Sequence, residues 1–233
     1  MNWNTLVKVV RYHLLGWTFY VAVPWVVVAI GFALYLAGAA AKPAAPGQFY
    51  GSATVLAIYL GFGITGLVGM LRSLPFAISL GVSRRAYYAG TALLGTGLAA
   101  VYGLGLAVLQ VIERATAGWE VHLHYFQVAY ILAGPWYLTW LTSFVVMAVL
   151  FVYGMWYGLV YWRWNLAGLL VFGVAQVIAG AVAALSAANT DAWAAIGRFF
   201  TSTLGAAGLT GVLAALAVVL LAGGYAAMRR VTV

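Results

Sequence analysis

The chain has 233 residues, of which 66% are hydrophobic and only 6% are charged. A soluble domain needs far more surface charge, so this composition excludes a soluble globular protein and predicts an integral membrane protein. The net charge of +8 is typical of basic cytoplasmic loops in membrane proteins, and we expect no nucleic-acid partner. Cysteine is absent, which excludes disulfides, thiolate catalysis and cysteine-ligated metals.

Residues 1–15 show the pattern of an amphipathic helix at a membrane surface. Apolar residues recur at helical spacing on one face and polar residues fall on another: Trp3, Leu6, Val7, Val10 and Leu14 against Asn4, Lys8 and Arg11. The apolar run that follows is too long for the hydrophobic region of a signal peptide. We therefore expect a retained first membrane span.

Six apolar runs reach the length of about 20 residues that crosses a bilayer. They cover about 16–40, 52–72, 89–112, 136–161, 165–187 and 204–227. A backbone in lipid must satisfy its own hydrogen bonds, so these runs are predicted to be α-helices. The predicted fold class is an all-α polytopic membrane protein with one transmembrane domain, residues 1–233.

The distribution of charge predicts an orientation. One set of connections holds basic residues and no acid: Lys8, Arg11, Arg72, Arg84, Arg85, Arg163, Arg229 and Arg230. The other set holds Lys42, Arg114 and Arg198 together with all three acids, Glu113, Glu120 and Asp191. By the positive-inside rule, both termini and the connection 73–88 face the cytoplasm.

Apart from Arg72 at the end of the second run, the six runs contain no Asp, Glu, Lys, Arg or His. Ion-coupled carriers, voltage sensors and intramembrane hydrolases need such groups at depth, and no P-loop sequence occurs. We therefore expect no enzymatic activity and no energy source in this chain. The glycine-rich stretches 61–69, 95–105 and 205–211 are predicted to be close helix–helix contacts.

The connection 73–88, SLPFAISLGVSRRAYY, has more structure-forming residues than an anchoring loop needs. Pro75 ends the second run, residues 76–80 are apolar, Gly81 allows a bend, and Ser83 is a candidate N-cap. The two arginines that follow are explained as positive-inside anchors. The whole pattern also fits a short amphipathic helix that presents a docking surface.

The stretch 74–91, LPFAISLGVSRRAYYAGT, resembles the first cytoplasmic loop of type-2 ABC exporter permeases, in which P-x-x-x-x-x-G-x-x-R-R-x-[YF] follows the second span. In that family the loop forms a coupling helix that docks into a separate ATPase. The resemblance assigns partner coupling to Pro75, Phe76, Gly81, Ser83, Arg84, Arg85 and Tyr87. It also implies a second permease copy or a related permease. The cytoplasmic ATPase would bind ATP and magnesium, and this chain would hold no cofactor.

Further expectations follow from the resemblance. The permease would lie in the plasma membrane of a bacterium, in contact with membrane lipid. Members of the family begin with an amphipathic helix, and many carry short helical elements between spans five and six. Residues 189–200 are expected to form such an element, with Trp193, Ile196 and Phe200 on one side. The outer loop 113–135 is longer and more polar than the family suggests.

The polar side chains within the spans are candidates to line a translocation path in an assembled dimer: Gln110, Thr139, Thr142, Ser143 and Gln176. They are explained equally well as hydrogen-bonding partners of neighbouring helices. An apolar path would favour amphipathic or hydrophobic cargo.

The outer loop offers one weak candidate for a metal site. Glu120, His122 and His124 would point the same way in an extended strand, a spacing that suits a transition metal. A solvated loop whose aromatic residues rest on lipid headgroups explains the stretch better, and we expect no metal.

Two other functions remain open. The chain could be a non-transporting membrane scaffold or sensor that recruits a soluble partner through 73–88. It could also be a small passive channel or secondary carrier, which the lack of ionisable groups in the spans disfavours. The partner discriminates them, because only an exporter subunit must bind an ATPase through 73–88.

Overall fold

The structure, a computed structural model, describes residues 3–14, 16, 18–41, 53–126, 135–190, 192–199 and 205–228. Within these ranges the chain forms helices and turns and no β-strand, which confirms the predicted all-α class there. The helices are α1 (Trp3–Leu14), α2 (Val23–Ala41), α3 (Ala53–Val68), α4 (Leu74–Ser79), α5 (Arg84–Ala115), α6 (Trp136–Asn189), α7 (Ala192–Arg198) and α8 (Gly205–Ala227). Three π-helical turns adjoin them, Thr18–Ala22, Gly69–Ser73 and Gly118–His122.

Several helices are long and apolar enough to span a membrane. By length and composition they are Tyr20–Ala41, Val55–Ser79, Arg84–Ala115, Trp136–Asn189 and Ala207–Ala227. The third begins at Arg84 rather than near residue 89, and the fourth contains both the fourth and the fifth predicted run. The short helix expected within 189–200 is present as α7, where Trp193 is exposed. The side chains of Ile196 and Phe200 lie outside the described residues.

The 54-residue helix α6 is folded back on itself at Asn165. If it were straight, Tyr153 and Gln176 would lie about 35 Å apart, at 1.5 Å per residue. Instead the hydroxyls of Tyr153 and Tyr157 both donate hydrogen bonds to the side-chain oxygen of Gln176, the second at 2.8 Å. Asn165 has φ 57° and ψ −161°, a conformation that strongly favours glycine, and it breaks the helix there. The helix is therefore an antiparallel hairpin.

We call residues 136–164 the first arm of α6 and residues 166–189 the second arm. The first arm is the central helix of the bundle, in contact with α3, α5 and α8. The indole of Trp140 donates to the Ala100 carbonyl of α5 at 3.0 Å, and that of Trp156 donates to the Leu220 carbonyl of α8 at 2.9 Å. These bonds fix the central arm between two neighbours.

Glycines bring α3 and the first arm into backbone contact. A side chain on Gly154 would overlap the carbonyl oxygen of Gly63, and one on Gly66 would overlap the carbonyl oxygen of Phe151. Small residues allow such close approach, which strengthens dispersion contacts where no hydrophobic driving force acts between helices. The packing role predicted for the glycines of 61–69 is confirmed at these positions.

One end of the bundle, which we call the basic end, gathers the arginines. The indole of Trp162 donates to the Met70 carbonyl at 3.0 Å, so the bend in α6 lies beside the turn that follows α3. The guanidinium of Arg85 lies over the ring of Tyr225, near the end of α8 and 5.8 Å from the ring centre. The arginines at this end are Arg72, Arg84, Arg85 and Arg163.

Candidate coupling site

The connection between α3 and α5 folds into a separate short helix, α4, at the basic end. Pro75 lies in its first turn, where the missing N–H leaves no partner unsatisfied. Leu74 and Ala77 are buried, whereas Phe76 is 49% exposed and Leu80, just after the helix, is 65% exposed. The connection therefore presents two large apolar side chains outward.

The end of α4 is fixed by a Schellman motif. The N–H of Gly81 bonds to the Ile78 carbonyl at 2.9 Å, and the N–H of Val82 bonds to the Ala77 carbonyl at 3.0 Å. Gly81 has φ 80°, which an L side chain adopts only with strain, and no atom lies within 4 Å of where its Cβ would be. The glycine is thus needed for its backbone conformation rather than for space.

The start of α5 confirms Ser83 as its N-cap, since its hydroxyl accepts the Ala86 N–H at 3.3 Å. Arg84 and Arg85 occupy the first two helical positions and are half-buried. Positive charges at a helix N-terminus oppose the helix dipole, at a cost of about 0.3–1 kcal/mol each at exposed sites. The contact of Arg85 with the Tyr225 ring offsets part of this cost, and the positive-inside rule also favours arginines here.

Tyr87 lies inside the protein rather than on the outward surface with Phe76. It is fully buried, and its hydroxyl donates to the Gly69 carbonyl at 2.5 Å. The adjacent Met70 carbonyl accepts the Trp162 indole at 3.0 Å. The π-helical turn Gly69–Ser73 is thereby tied to α5 and to α6, so a displacement of α4 would be transmitted to both helices.

Helix α1 was predicted over 1–15 and runs from Trp3 to Leu14. Of its predicted apolar face only Val7 and Val10 have described side chains, and both are half-buried. Val9 and His13 are instead buried, Val9 against Gly90 of α5 and His13 against Tyr87. The buried side of α1 is thus displaced from the face that the sequence indicated.

Helix α1 and α4 enclose a small groove at the basic end, with a volume of about 170 Å³. Lys8 and Val9 line it from α1, and Phe76, Ala77 and Leu80 line it from the connection. Lys8 is exposed at its rim. The candidate coupling site is therefore built from two segments that are far apart in the chain.

No protein-family model, curated protein or solved structure matches the chain. The resemblance of stretch 74–91 to type-2 ABC permeases stays a prediction from the sequence.

Three of the five polar residues of the spans, Thr142, Ser143 and Gln176, form hydrogen bonds between helices or between the arms of α6. Gln110, Thr139, Thr142 and Ser143 are all buried. The hydroxyl of Thr142 bonds to that of Thr210 in α8 at 2.8 Å, and that of Ser143 bonds to Tyr59 in α3 at 3.0 Å. Gln176 joins the two arms of α6, as described above. Within one chain, these contacts favour the helix-bonding explanation over the path-lining one.

Gln110 differs from the others, because both polar atoms of its buried amide have no hydrogen-bond partner in the structure. One helical turn further on, Glu113 is also fully buried in α5. One of its carboxylate oxygens accepts the N–H groups of Tyr125 and Phe126, both at 2.8 Å, and the Trp119 indole at 3.3 Å. Glu113 thus organises the far end of the bundle, a role that sequence reasoning missed when it assigned this acid to the outer loop.

The weak metal candidate receives no support from the backbone. Residues Gly118–His122 form a helical turn rather than the extended strand that would align Glu120, His122 and His124. The side chains of Glu120 and His122 lie outside the described residues. Among the side chains that the structure describes, no three His, Cys, Asp or Glu are grouped to hold a metal ion.

Proposed function

We propose that the chain is the transmembrane permease subunit of an ATP-driven ABC exporter, coupled to a separate cytoplasmic ATPase through the connection 73–88. The observation that carries the proposal is the geometry of that connection. It is a capped helix of its own that exposes Phe76 and Leu80, and it is followed by two arginines that the helix dipole disfavours. A docked partner would account for all of these features together.

The proposed topology has six crossings with both termini in the cytoplasm. The hairpin at Asn165 supports it, since each arm of α6 exceeds the about 20 residues that a crossing needs. The clustering of arginines at the basic end supports the orientation by the positive-inside rule. The membrane would be the plasma membrane, with lipid around the outer helices.

The mechanism begins with ATP binding in the partner, which would supply the energy and hold ATP and magnesium. Closure of the ATPases would push on α4. The Gly69–Ser73 turn continues α3, and it is bonded to α5 through Tyr87 and to the first arm of α6 through Trp162. A push on α4 would therefore reach α3, α5 and the first arm. Two permease copies, or this chain and a related permease, would form the path between them. Apolar surroundings would favour amphipathic or hydrophobic cargo.

Charge reversal of the arginine pair tests the coupling role. We expect the double variant Arg84→Glu/Arg85→Glu to lose ATPase capture and ATP-driven transport by at least about tenfold, because several charge-assisted contacts would become repulsive. The matched control is Arg229→Glu/Arg230→Glu, which makes the same change in charge in another adjacent arginine pair, predicted to lie on the same side of the membrane and outside the connection 73–88. The control should retain both activities.

A topology reporter fused to the C-terminus separates loss of docking from inversion in the membrane. Normal ATPase capture and transport by the Arg84/Arg85 variant would contradict the coupling role. Capture of the ATPase without transport by the unsubstituted chain would favour the scaffold function instead.

A further inference from the structure

The most unusual buried group at the basic end is the imidazole of His13. It is only 2% exposed, although it lies in an N-terminal surface helix. Its Nδ1 is 2.9 Å from the Val9 carbonyl, and its Nε2 is 3.3 Å from the Tyr87 hydroxyl. The same hydroxyl reaches the Gly69 carbonyl at 2.5 Å. Three segments that are distant in the sequence therefore meet at one imidazole.

The protons available for these three contacts depend on the charge of His13. A carbonyl only accepts, so Nδ1 must carry a proton and donate it to Val9. Nε2 of the neutral ring is then an acceptor, and the single Tyr87 proton has to serve both His13 and the Gly69 carbonyl. Of these two acceptors the Gly69 carbonyl is the nearer, at 2.5 Å against 3.3 Å, so the neutral ring is held against Tyr87 mainly by burial and ring contact, which links α1 to α5.

Protonation places a positive charge at a buried position among other positive charges. The charged side chains on the elements around His13 are basic: Lys8 and Arg11 on α1, Arg84 and Arg85 on α5, and Arg72 on the turn after α3. The other titratable groups in ring contact with His13 are the phenols of Tyr20 and Tyr87. The three acids of the chain all lie beyond residue 112, and Glu113 is at the opposite end of α5, about 39 Å from Tyr87 at 1.5 Å per residue.

We infer that His13 is a proton-operated latch: the neutral imidazole holds α1 against Tyr87 of α5, and its protonation releases α1 from the bundle. The imidazolium Nε2–H would donate to the Tyr87 oxygen, but one hydrogen bond offsets only part of the cost of a buried cation among like charges, and that cation regains water only if α1 moves away. Since Lys8 and Val9 line the groove beside Phe76, release of α1 would also reshape the candidate coupling site. Under the proposed function, acidification of the cytoplasm would then weaken the coupling.

The sign of the pH effect follows from the same burial. Desolvation lowers the pKa of His13 from its ordinary value of 6.5, against a smaller opposing effect of the Val9 hydrogen bond. The docked state therefore binds fewer protons than the released state. Docking is at full strength above the ordinary pKa and weakens as the pH falls below it.

The chain contains no cysteine, so a single introduced thiol reports on α1 alone. Val9→Cys places the thiol at the buried contact with Gly90, and Lys8→Cys places one at an exposed position on the same helix. Maleimide labelling of the purified full chain is measured at pH of about 7.5 and about 5.5. The ratio of the Val9→Cys rate to the Lys8→Cys rate removes the pH dependence of thiol chemistry.

We expect this ratio to rise as the pH falls, by at most about tenfold between the two pH values. This limit applies if the imidazole of the released helix has the ordinary pKa of 6.5 and the imidazole of the docked helix stays neutral. His13→Gln should abolish the rise, because its amide does not titrate. Tyr87→Phe should raise the ratio at the higher pH, because the buried Nε2 loses the hydroxyl beside it and the Gly69 carbonyl loses its donor. A ratio that does not change with pH, or an unchanged rise in His13→Gln, would overturn the latch.

Hydrogen exchange of the unsubstituted chain decides the question if the cysteine variants do not fold. After correction for intrinsic rates, the amides of 7–14 should exchange faster at the lower pH than at the higher one, relative to those of α5. Equal protection of α1 at both pH values would overturn the inference.

Discussion

The two arms of α6 are joined at one residue and are both strongly apolar, yet they have opposite surroundings. The first arm buries Met147, Phe151 and Met155 among α3, α5 and α8. Every residue of the second arm is described and none is buried, and its most exposed large apolar side chains are Val177 at 72% and Val171 at 69%. Apolar composition alone does not decide which helix packs inside the chain.

Side-chain size and polar bonding make the difference. The first arm carries small residues where α3 approaches, and hydroxyls that bond to neighbouring helices. The second arm also has glycines, but Gly173 and Gly180 have no atom within 4 Å of where a Cβ would lie. Under the proposed function, the second arm is free to face lipid or a second permease.

Filling the glycine contact should have the largest effect. Gly154→Leu would force a side chain into the Gly63 carbonyl, and we expect it to destabilise the fold by at least about 3 kcal/mol. Gly173→Leu, the matched control on the second arm, should leave the monomer intact. The yield of monodisperse protein in detergent measures both, and equal losses would show that the second arm is packed as tightly as the first.

Removal of an interhelical hydrogen bond should have an intermediate effect. Thr142→Val takes away the bond to Thr210 of α8 and should cost about 1 kcal/mol, or roughly 2–4 °C in the unfolding midpoint. Gln176→Leu loosens only the contact between the two arms and should shift the midpoint by less than half as much. Thermal unfolding of the two variants in one detergent tests this order, and a larger shift for Gln176→Leu would reverse the assignment.

Relief of strain at the junction should have the smallest effect. Asn165→Gly allows φ 57° and ψ −161° without a Cβ penalty, but the greater freedom of glycine in the unfolded chain offsets part of this, so we expect a gain in stability of only about 0.5 kcal/mol. Asn165→Ala should lose stability, because alanine keeps the penalty and lacks a polar side chain. A loss in both variants would show that the Asn165 side chain, rather than the backbone geometry, maintains the hairpin.

Local signals in the sequence predicted much of the fold. The long apolar runs, the break before 165, the helix within 189–200 and the Ser83 cap each depend on neighbouring residues, and each is found in the structure. The predicted packing role of the glycines is found at Gly66, Gly95 and Gly103, because close helix contacts select small residues. It is not found at Gly205 and Gly211, which have no atom within 4 Å of where a Cβ would lie.

The sequence could not predict features that depend on distant contacts. Tyr87 belongs to a surface motif by sequence, but in the structure it is buried and its hydroxyl donates to the Gly69 carbonyl of a distant segment. Glu113 and His13 are single ionisable residues at the edges of apolar runs, and nothing beside them in the chain marks them as buried. The partners of both come from other segments, Tyr125 and Phe126 for Glu113 and Tyr87 for His13.

The identity of the soluble partner tests the central claim most directly. The chain is purified from its native membrane in mild detergent, and the proteins that accompany it are identified by mass spectrometry. The account predicts a stoichiometric soluble protein with Walker motifs, whose ATPase activity depends on the membrane subunit and whose capture is lost in Arg84→Glu/Arg85→Glu. Recovery without any ATPase, under conditions that preserve a known ABC complex, would contradict it.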